Sequence, residues 1–326
     1  MKNLVFAFAL LCSTSLVAQF SYYPDGTGIQ SSSNTASGPN AFAIGDLTLA
    51  SGYNSTAMGY ATTASGDWST AMGELTEASG QNSTATGYIT VASGIVSTAM
   101  GVGTKASAFV STAMGEGTTA SGFVSTAMGE FTEASGSFST AMGWDTVAQD
   151  FGATAIGTFN ETKETPNPES FTYENTAFVI GNGGYDSEGN YDGHRSNALE
   201  VLFDGTTTIA GDLNINSDAR LKANIISLGA TLSKLLQIDG KTYTMKKDAN
   251  HKKKIGLLAQ DIEKVFPELV TETNDIKSVN YQGLVPVLIN AMKEQQDEID
   301  SYKTELSNQR KEIDELKTMV EQLISK

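Results

Sequence analysis

Metal ligands and nucleophiles are scarce in this chain: one cysteine, Cys12, and two histidines, His194 and His251, stand among 326 residues. A disulfide framework is excluded, and a metal centre or reactive thiol has few donors to use. Basic residues are nearly absent from the first two thirds. Residues 20–216 hold 20 acidic side chains against Lys105, Lys163 and Arg195, a balance of −17, whereas residues 217–326 hold 17 of each sign. An acidic body of that kind disfavours nucleic acid and anionic membrane as partners. Beyond residue 18 no apolar run reaches the length that crosses a bilayer. No cofactor and no metal are expected, and an independent hydrolase would lack a convergent cluster to build from.

What is present begins at the N-terminus. Lys2, the apolar stretch Leu4–Leu11 and small residues up to Ala18 read as a secretory signal peptide, residues 1–18. Cys12 lies within it, and Leu11 before Cys12 argues against lipoprotein attachment. The expected product is exported, either secreted or held at a bacterial cell surface, with no integral membrane segment once the signal is removed.

A repeat follows. Gly45, Gly59, Gly73, Gly87, Gly101, Gly115, Gly129, Gly143 and Gly157 recur every 14 residues without an insertion. A second series, A-S-G, ends at Gly38, Gly52, Gly66, Gly80, Gly94, Gly122 and Gly136, with Ala108 and Asp150 standing in where it breaks. Fourteen residues suit one coil of a β-solenoid: two strands of about five residues and two tight turns of about two. Glycine permits positive φ at the turns, and Ser, Thr and Val favour strands. Nine rungs about 4.8 Å apart make a stack of roughly 43 Å. The inward residues are expected to be Ala, Gly, Thr and one Met or Ile, too little apolar bulk for an independent core. Packing against further copies would supply the rest.

The A-M/I-G and A-S-G blocks at this period resemble the YadA-type head repeats of trimeric adhesins, over about residues 36–160. That resemblance implies a left-handed parallel β-roll with three chains side by side, a homotrimer. The chain departs from trimeric autotransporters in lacking their β-barrel anchor, so self-export through an outer membrane is not expected. Between the blocks, Tyr53, Phe109 and Phe123 share one variable column, and Trp68, Val96, Val110, Val124 and Phe138 the next. They are expected to pack between protomers or to cap rung edges.

Residues 161–216 read as a β connector in which NTAFVIGNG (175–183) echoes a rung. Asp186, Glu188, Asn190 and Asp192 with Gly193 have the alternation of a calcium loop. The later glutamate ligand and the flanking helices are missing, so a solvated acidic turn is the reading. His194 stands alone beside it.

In the last 110 residues, KTYTMKK (241–247) and the run after HKKK read as a lysine-tipped hairpin or neighbouring strands. GLLAQDIEKVFPELV places Leu258, Ile262 and Val265 on a helical face, with Pro267 as the stop. A long helix then carries a 4-3 pattern. Its a positions are Val285, Met292, Ile299, Leu306, Ile313 and Val320, and its d positions Leu288, Gln295, Tyr302, Gln309, Leu316 and Leu323. Six heptads with charged flanks argue a coiled coil over 285–326. Mixed cores do not choose between dimer and trimer; the β-roll resemblance favours three.

SDARLKANI (217–225), GLLAQDIEKVFPELV and YQGLVPVLINAMKE, in that order, resemble the peptidase S74 family over about residues 217–310. This is the intramolecular chaperone domain found at the ends of phage tailspikes and endosialidases and within myelin regulatory factors. The resemblance implies trimerisation, assistance to the upstream β-structured fibre and a self-cut before the serine. The family's serine–lysine pair maps onto Ser217 and Lys222, so the implied scissile bond is Asn216–Ser217. The chemistry also follows from the residues: a serine hydroxyl needs a base, and a neutral lysine can serve. Desolvation in an oligomer interface moves a lysine's pKa in the required direction. Residues five apart do not share a helix face, so Ser217 is expected on an extended lead-in and Lys222 at the start of a helix. The simplest alternative makes Ser217 an N-cap and Lys222 a solvated side chain.

The expected fold is thus mainly β, then α: a left-handed parallel β-roll, a short β connector, an α+β chaperone domain and a trimeric coiled coil. The expected function is an exported, trimeric, adhesin-like surface fibre whose chaperone drives assembly and cuts once. Rivals are a non-cleaving stalk or adhesin and a phage-type tail fibre, against which the signal peptide speaks.

Overall fold

The computed structural model describes residues 20–22, 29–31, 33–246 and 251–325; the expected signal segment, with Cys12, lies outside them. The chain divides into two compact units, residues 1–214 and 215–326.

The first unit is a parallel β-solenoid of 14-residue turns. In each rung a five-residue strand such as Thr56–Tyr60 is followed by a two-residue strand such as Thr63–Ala64. The long arms belong to a 14-stranded sheet and the short arms form a nine-stranded one. Register never slips: Ala57 pairs with Ala71, Met58 with Met72 and Gly59 with Gly73. The same alignment holds six rungs on, between Thr140–Trp144 and Thr154–Thr158.

Three details differ from expectation. The arms are unequal, because the chain leaves the ladder at Gly66, whose carbonyl accepts from the Ser69 N–H at 3.2 Å. Methionine faces out rather than in. Ser55 and Ala57 are buried, so strand alternation sends Thr56 and Met58 to the outer face. The inside admits only small groups: Ala57, Ala64, Ser55 and Thr62 of one rung are all shut from solvent. Finally, the bends place positive φ mostly on larger residues, among them Asn54, Ala61, Trp68, Leu75 and Val96. Each such residue costs about 1–2 kcal/mol, which the fixed stack sustains. The glycines of the first series also take positive φ, 121° at both Gly59 and Gly73, and both series answer a further need. A Cβ at Gly66 would lie 2.1 Å from the Gly80 carbonyl oxygen, and one at Gly59 1.9 Å from that of Gly73.

The variable columns form edge ladders. Phe109, Phe123, Phe138 and Phe151 follow one another at centroid separations of 5.3, 5.4 and 5.2 Å. The period breaks after Gly157, which pairs with Gly181, 24 residues on instead of 14. The excursion between them is tied back to the edge, with Pro168 accepting from Ser137 N–H and Asn167 from Phe151 N–H. Asp150, in the A-S-G column, anchors it: its carboxylate takes Asn167 N–H at 2.9 Å, Thr176 N–H at 2.8 Å and Lys163 Nζ at 2.5 Å. Strands Asn197–Leu202 and Thr207–Ile209 then finish the sheet in antiparallel fashion.

The second unit contains α1 (Leu232–Leu235), α2 (Ala259–Val265) and α3 (Leu284–Ile324). Strand Lys241–Tyr243 pairs antiparallel with Lys254–Gly256, and Val270–Thr273 with Ile276–Val279. A small core of Ile262, Phe266, Leu269, Leu284 and Val287 joins α2 to the first turns of α3. Leu258 is the N-cap of α2 and is exposed rather than on its buried stripe, because the chain arrives there extended. Pro267 opens a single 3-10 turn, Pro267–Leu269, beyond α2. Pro286 sits in the first turn of the 41-residue α3, where a missing N–H breaks no helical bond. Among the described residues no helix is long and apolar enough to cross a membrane.

Candidate functional site

The segment from Asn216 to Lys222 opens the second unit. Asn216 and Ser217 lie outside any helix or strand, and Asp218, with φ −62° and ψ 133°, caps a single 3-10 turn, Ala219–Leu221. Lys222 closes that turn and returns to extended backbone, with φ −116° and ψ 146°. The turn folds the lysine back over the serine: Lys222 Nζ donates to Ser217 Oγ at 2.7 Å.

Lys222 therefore ends a turn instead of beginning a helix. Asn224 takes φ 54° and Gly229 φ 68° just after it, and these left-handed residues stop helix propagation until Leu232. Asp218, not Ser217, is the capping residue, accepting from Arg220 N–H. The Arg220 guanidinium beside it also holds the Asp218 carboxyl below the usual carboxylate range.

Chemically, a serine hydroxyl in contact with an amine is a nucleophile with its base at hand, provided the amine is neutral. The surroundings are open: Leu221, Ile225 and Ile226 are exposed. One feature of this unit had no signal in the sequence. Glu294 of α3 accepts from Thr231 N–H, Thr231 Oγ1 and Leu232 N–H, capping α1 from 63 residues away.

The other candidate features are surfaces. On α3 the a and d residues Met292, Ile299, Tyr302, Leu306, Ile313 and Leu316 are all exposed. On the first unit the outer face of the long arms carries a Thr column and a Met column, the latter running through Met58, Met72, Met100, Met114, Met128 and Met142, while exposed Glu74, Glu116 and Glu130 end three of the arms. In the acidic turn, Asp186 accepts from Glu188 and Asn190 N–H groups, and the first of its shifts, the Asn190 amide, lowers its pKa. His194 is not alone, since its Nδ1 lies 2.6 Å from Asp192 Oδ1.

Comparison with known proteins gives two matches in this order along the chain. Residues 50–73, 69–88, 78–104 and 125–146 match the YadA head domain repeat. Residues 217–271 match the peptidase S74 family, the chaperone of endosialidase. The chain thus carries YadA head repeats followed by an S74-type chaperone segment. It is 32% identical over 128 residues to the long tail fiber protein Gp37 of Enterobacteria phage M1, covering 35% of this chain and 51% of that protein. To the protein of the same name from Salmonella phage S16 it is 30% identical over 135 residues, covering 38% and 17%. The match to the protein of that name from Enterobacteria phage Ox2 is 32% over 126 residues, covering 34% and 50%. The chain therefore spans about half the length of the first and third relatives and a smaller part of the second.

Proposed function

We propose that this chain forms an exported, trimeric, adhesin-like fibre whose C-terminal segment drives assembly and then cuts the Asn216–Ser217 bond. The fibre is residues 19–216, with the β-roll at 36–160 and the connector at 161–216. The chaperone is residues 217–310, and the coiled coil spans 285–326. The observation that carries the reading is the 2.7 Å contact between Lys222 Nζ and Ser217 Oγ, at the first residue of the S74 match.

In the proposed reaction Ser217 Oγ attacks the Asn216 carbonyl carbon while neutral Lys222 takes the hydroxyl proton. The C–N bond breaks, the proton passes to the departing Ser217 amine, and an ester joins Asn216 to Ser217 Oγ. Water then hydrolyses that ester, leaving the Asn216 carboxylate and a free Ser217 hydroxyl. The proton-transfer step needs a desolvated lysine, and burial of the exposed aliphatic neighbours against other copies provides that. Assembly thereby precedes cutting.

Trimerisation has two supports within the chain. An α3 stripe of exposed Ile, Leu and Met at heptad spacing is the surface a coiled coil buries. The Thr and Met columns of the long arms offer each β-roll the apolar area its interior lacks. A purified chain compared with its Ser217→Ala and Lys222→Ala variants on denaturing gels tests the cut. Wild type should run as two fragments and both variants as one chain; an intact wild-type chain in a folded trimer overturns the proteolysis.

The three tail-fibre relatives favour a second reading, a phage-type fibre with the same assembly and cut but no export. Fractionation of a cell expressing the chain separates the two, since only the first places residues 19–216 outside the cytoplasm.

A further inference from the structure

The contact between Ser217 and Lys222 spans five residues, and something must hold the backbone so that the two ends meet. Backbone bonds do part of it: Asp218 O accepts from Leu221 N–H at 3.1 Å, and Ala219 O from Lys222 N–H at 3.0 Å. A single 3-10 turn with two such bonds is weak on its own, because i→i+3 geometry is poor and the turn is fully exposed.

The remaining restraint is the side chain of Arg220. It lies over the Asp218 carboxylate as a fork, with Nε 3.0 and 3.1 Å from the two oxygens and a terminal nitrogen 2.6 Å from Oδ2. Asp218 Oδ1 also takes the Arg220 N–H at 2.9 Å. One carboxylate thus grips both the backbone and the guanidinium of the same residue. A planar two-point grip of this kind fixes orientation as well as distance.

We propose that the Asp218–Arg220 pair is a positioning device for the cut: it closes the turn that lays Lys222 Nζ on Ser217 Oγ. The proposal rests on the reading of Ser217 and Lys222 as nucleophile and base. Neither Asp218 nor Arg220 touches the Ser217 hydroxyl; both act through the lysine. Such an exposed pair adds little to stability, with Arg220 88% and Asp218 42% accessible. Substitution here therefore perturbs placement while leaving the fold in place.

The pair's role differs from that of a simple cap. If Asp218 only caps the turn, Asn serves as well and Arg220 is dispensable. If the fork is what matters, Asp218→Asn keeps the amide acceptor but loses the charged grip, and Arg220→Ala loses it entirely. Lysine restores the charge without the fork.

The test follows the single self-cut of the full-length chain in time, in a cell-free translation chased with excess unlabelled amino acids. Appearance of the fragment 217–326 is read on denaturing gels, and trimer content is read by native mass spectrometry on the same samples. The expected result is a first-order rate at least about tenfold lower for Arg220→Ala and for Asp218→Asn, with trimer formed as in wild type. Arg220→Lys should recover part of the rate. Raising the pH should not rescue Arg220→Ala, because its defect is distance rather than protonation. Arg220→Ala or Asp218→Asn trimers that cut at the wild-type rate overturn the positioning role alone. Wild-type trimers that never cut overturn the parent reading and this proposal with it.

Discussion

Thr90 shows the cost of so narrow an interior. It is shut from solvent, and its hydroxyl has no hydrogen-bond partner, as is also true of Thr62, Thr76 and Thr104 in the same column. A buried hydroxyl left without a partner costs about 1–3 kcal/mol, and valine has nearly the same shape with better strand preference. Thr90→Val should therefore raise the melting temperature of the solenoid by about 2–4 °C, read by calorimetry. A fall would mean that the hydroxyl is satisfied in the assembled protein. At this scale the sequence was informative about which residues matter and poor about which way they face. Thr-Ala-Met alternation has two phases, and only the width of the finished rung, which accepts Ala57 but not Met58, chooses between them. The motif singled out Ser217 and Lys222, which the structure brings into contact. The turn that joins them was not, because Asn224 takes a left-handed conformation that no periodicity announces.

Among elements, the rung ending at Asp150 differs most from its neighbours. The chain marks it by placing an acid in a glycine column, and the fold uses that acid to hold the 24-residue step between Gly157 and Gly181. Burial pushes the Asp150 carboxyl up, but the Asn167 amide, the Lys163 ammonium and the Thr176 amide outweigh it and leave it below its ordinary value. The sign of the pH effect follows. A carboxyl that is more acidic folded than unfolded stabilises above about pH 4, and that contribution is lost as pH falls through the folded value. The wild-type solenoid should melt progressively earlier below about pH 4, and Asp150→Asn should start lower and fall less steeply over that range. Parallel curves for the two proteins would contradict the role given to Asp150. The parallel solenoid, its 14-residue step and the long final helix were all legible, since each repeats one local constraint many times. Contacts made once, such as Glu294 with Thr231, have no repetition to reveal them.

At the scale of the molecule, the division of charge matches a division of labour. The acidic repeats bury alanine, serine and threonine and carry columns of Thr and Met outside, beside exposed acids such as Glu74 and Glu116. The balanced C-terminal unit carries an exposed stripe at heptad spacing and a serine in contact with its lysine. On the proposed function, assembly and release are successive uses of one segment. The most direct measurement is intact mass spectrometry, under denaturing conditions, of trimers isolated natively after expression of the full chain. The account predicts a C-terminal fragment of 110 residues, 217–326, beginning at Ser217, beside a partner that ends at Asn216. A single mass for an uncut chain in the same trimers would contradict it.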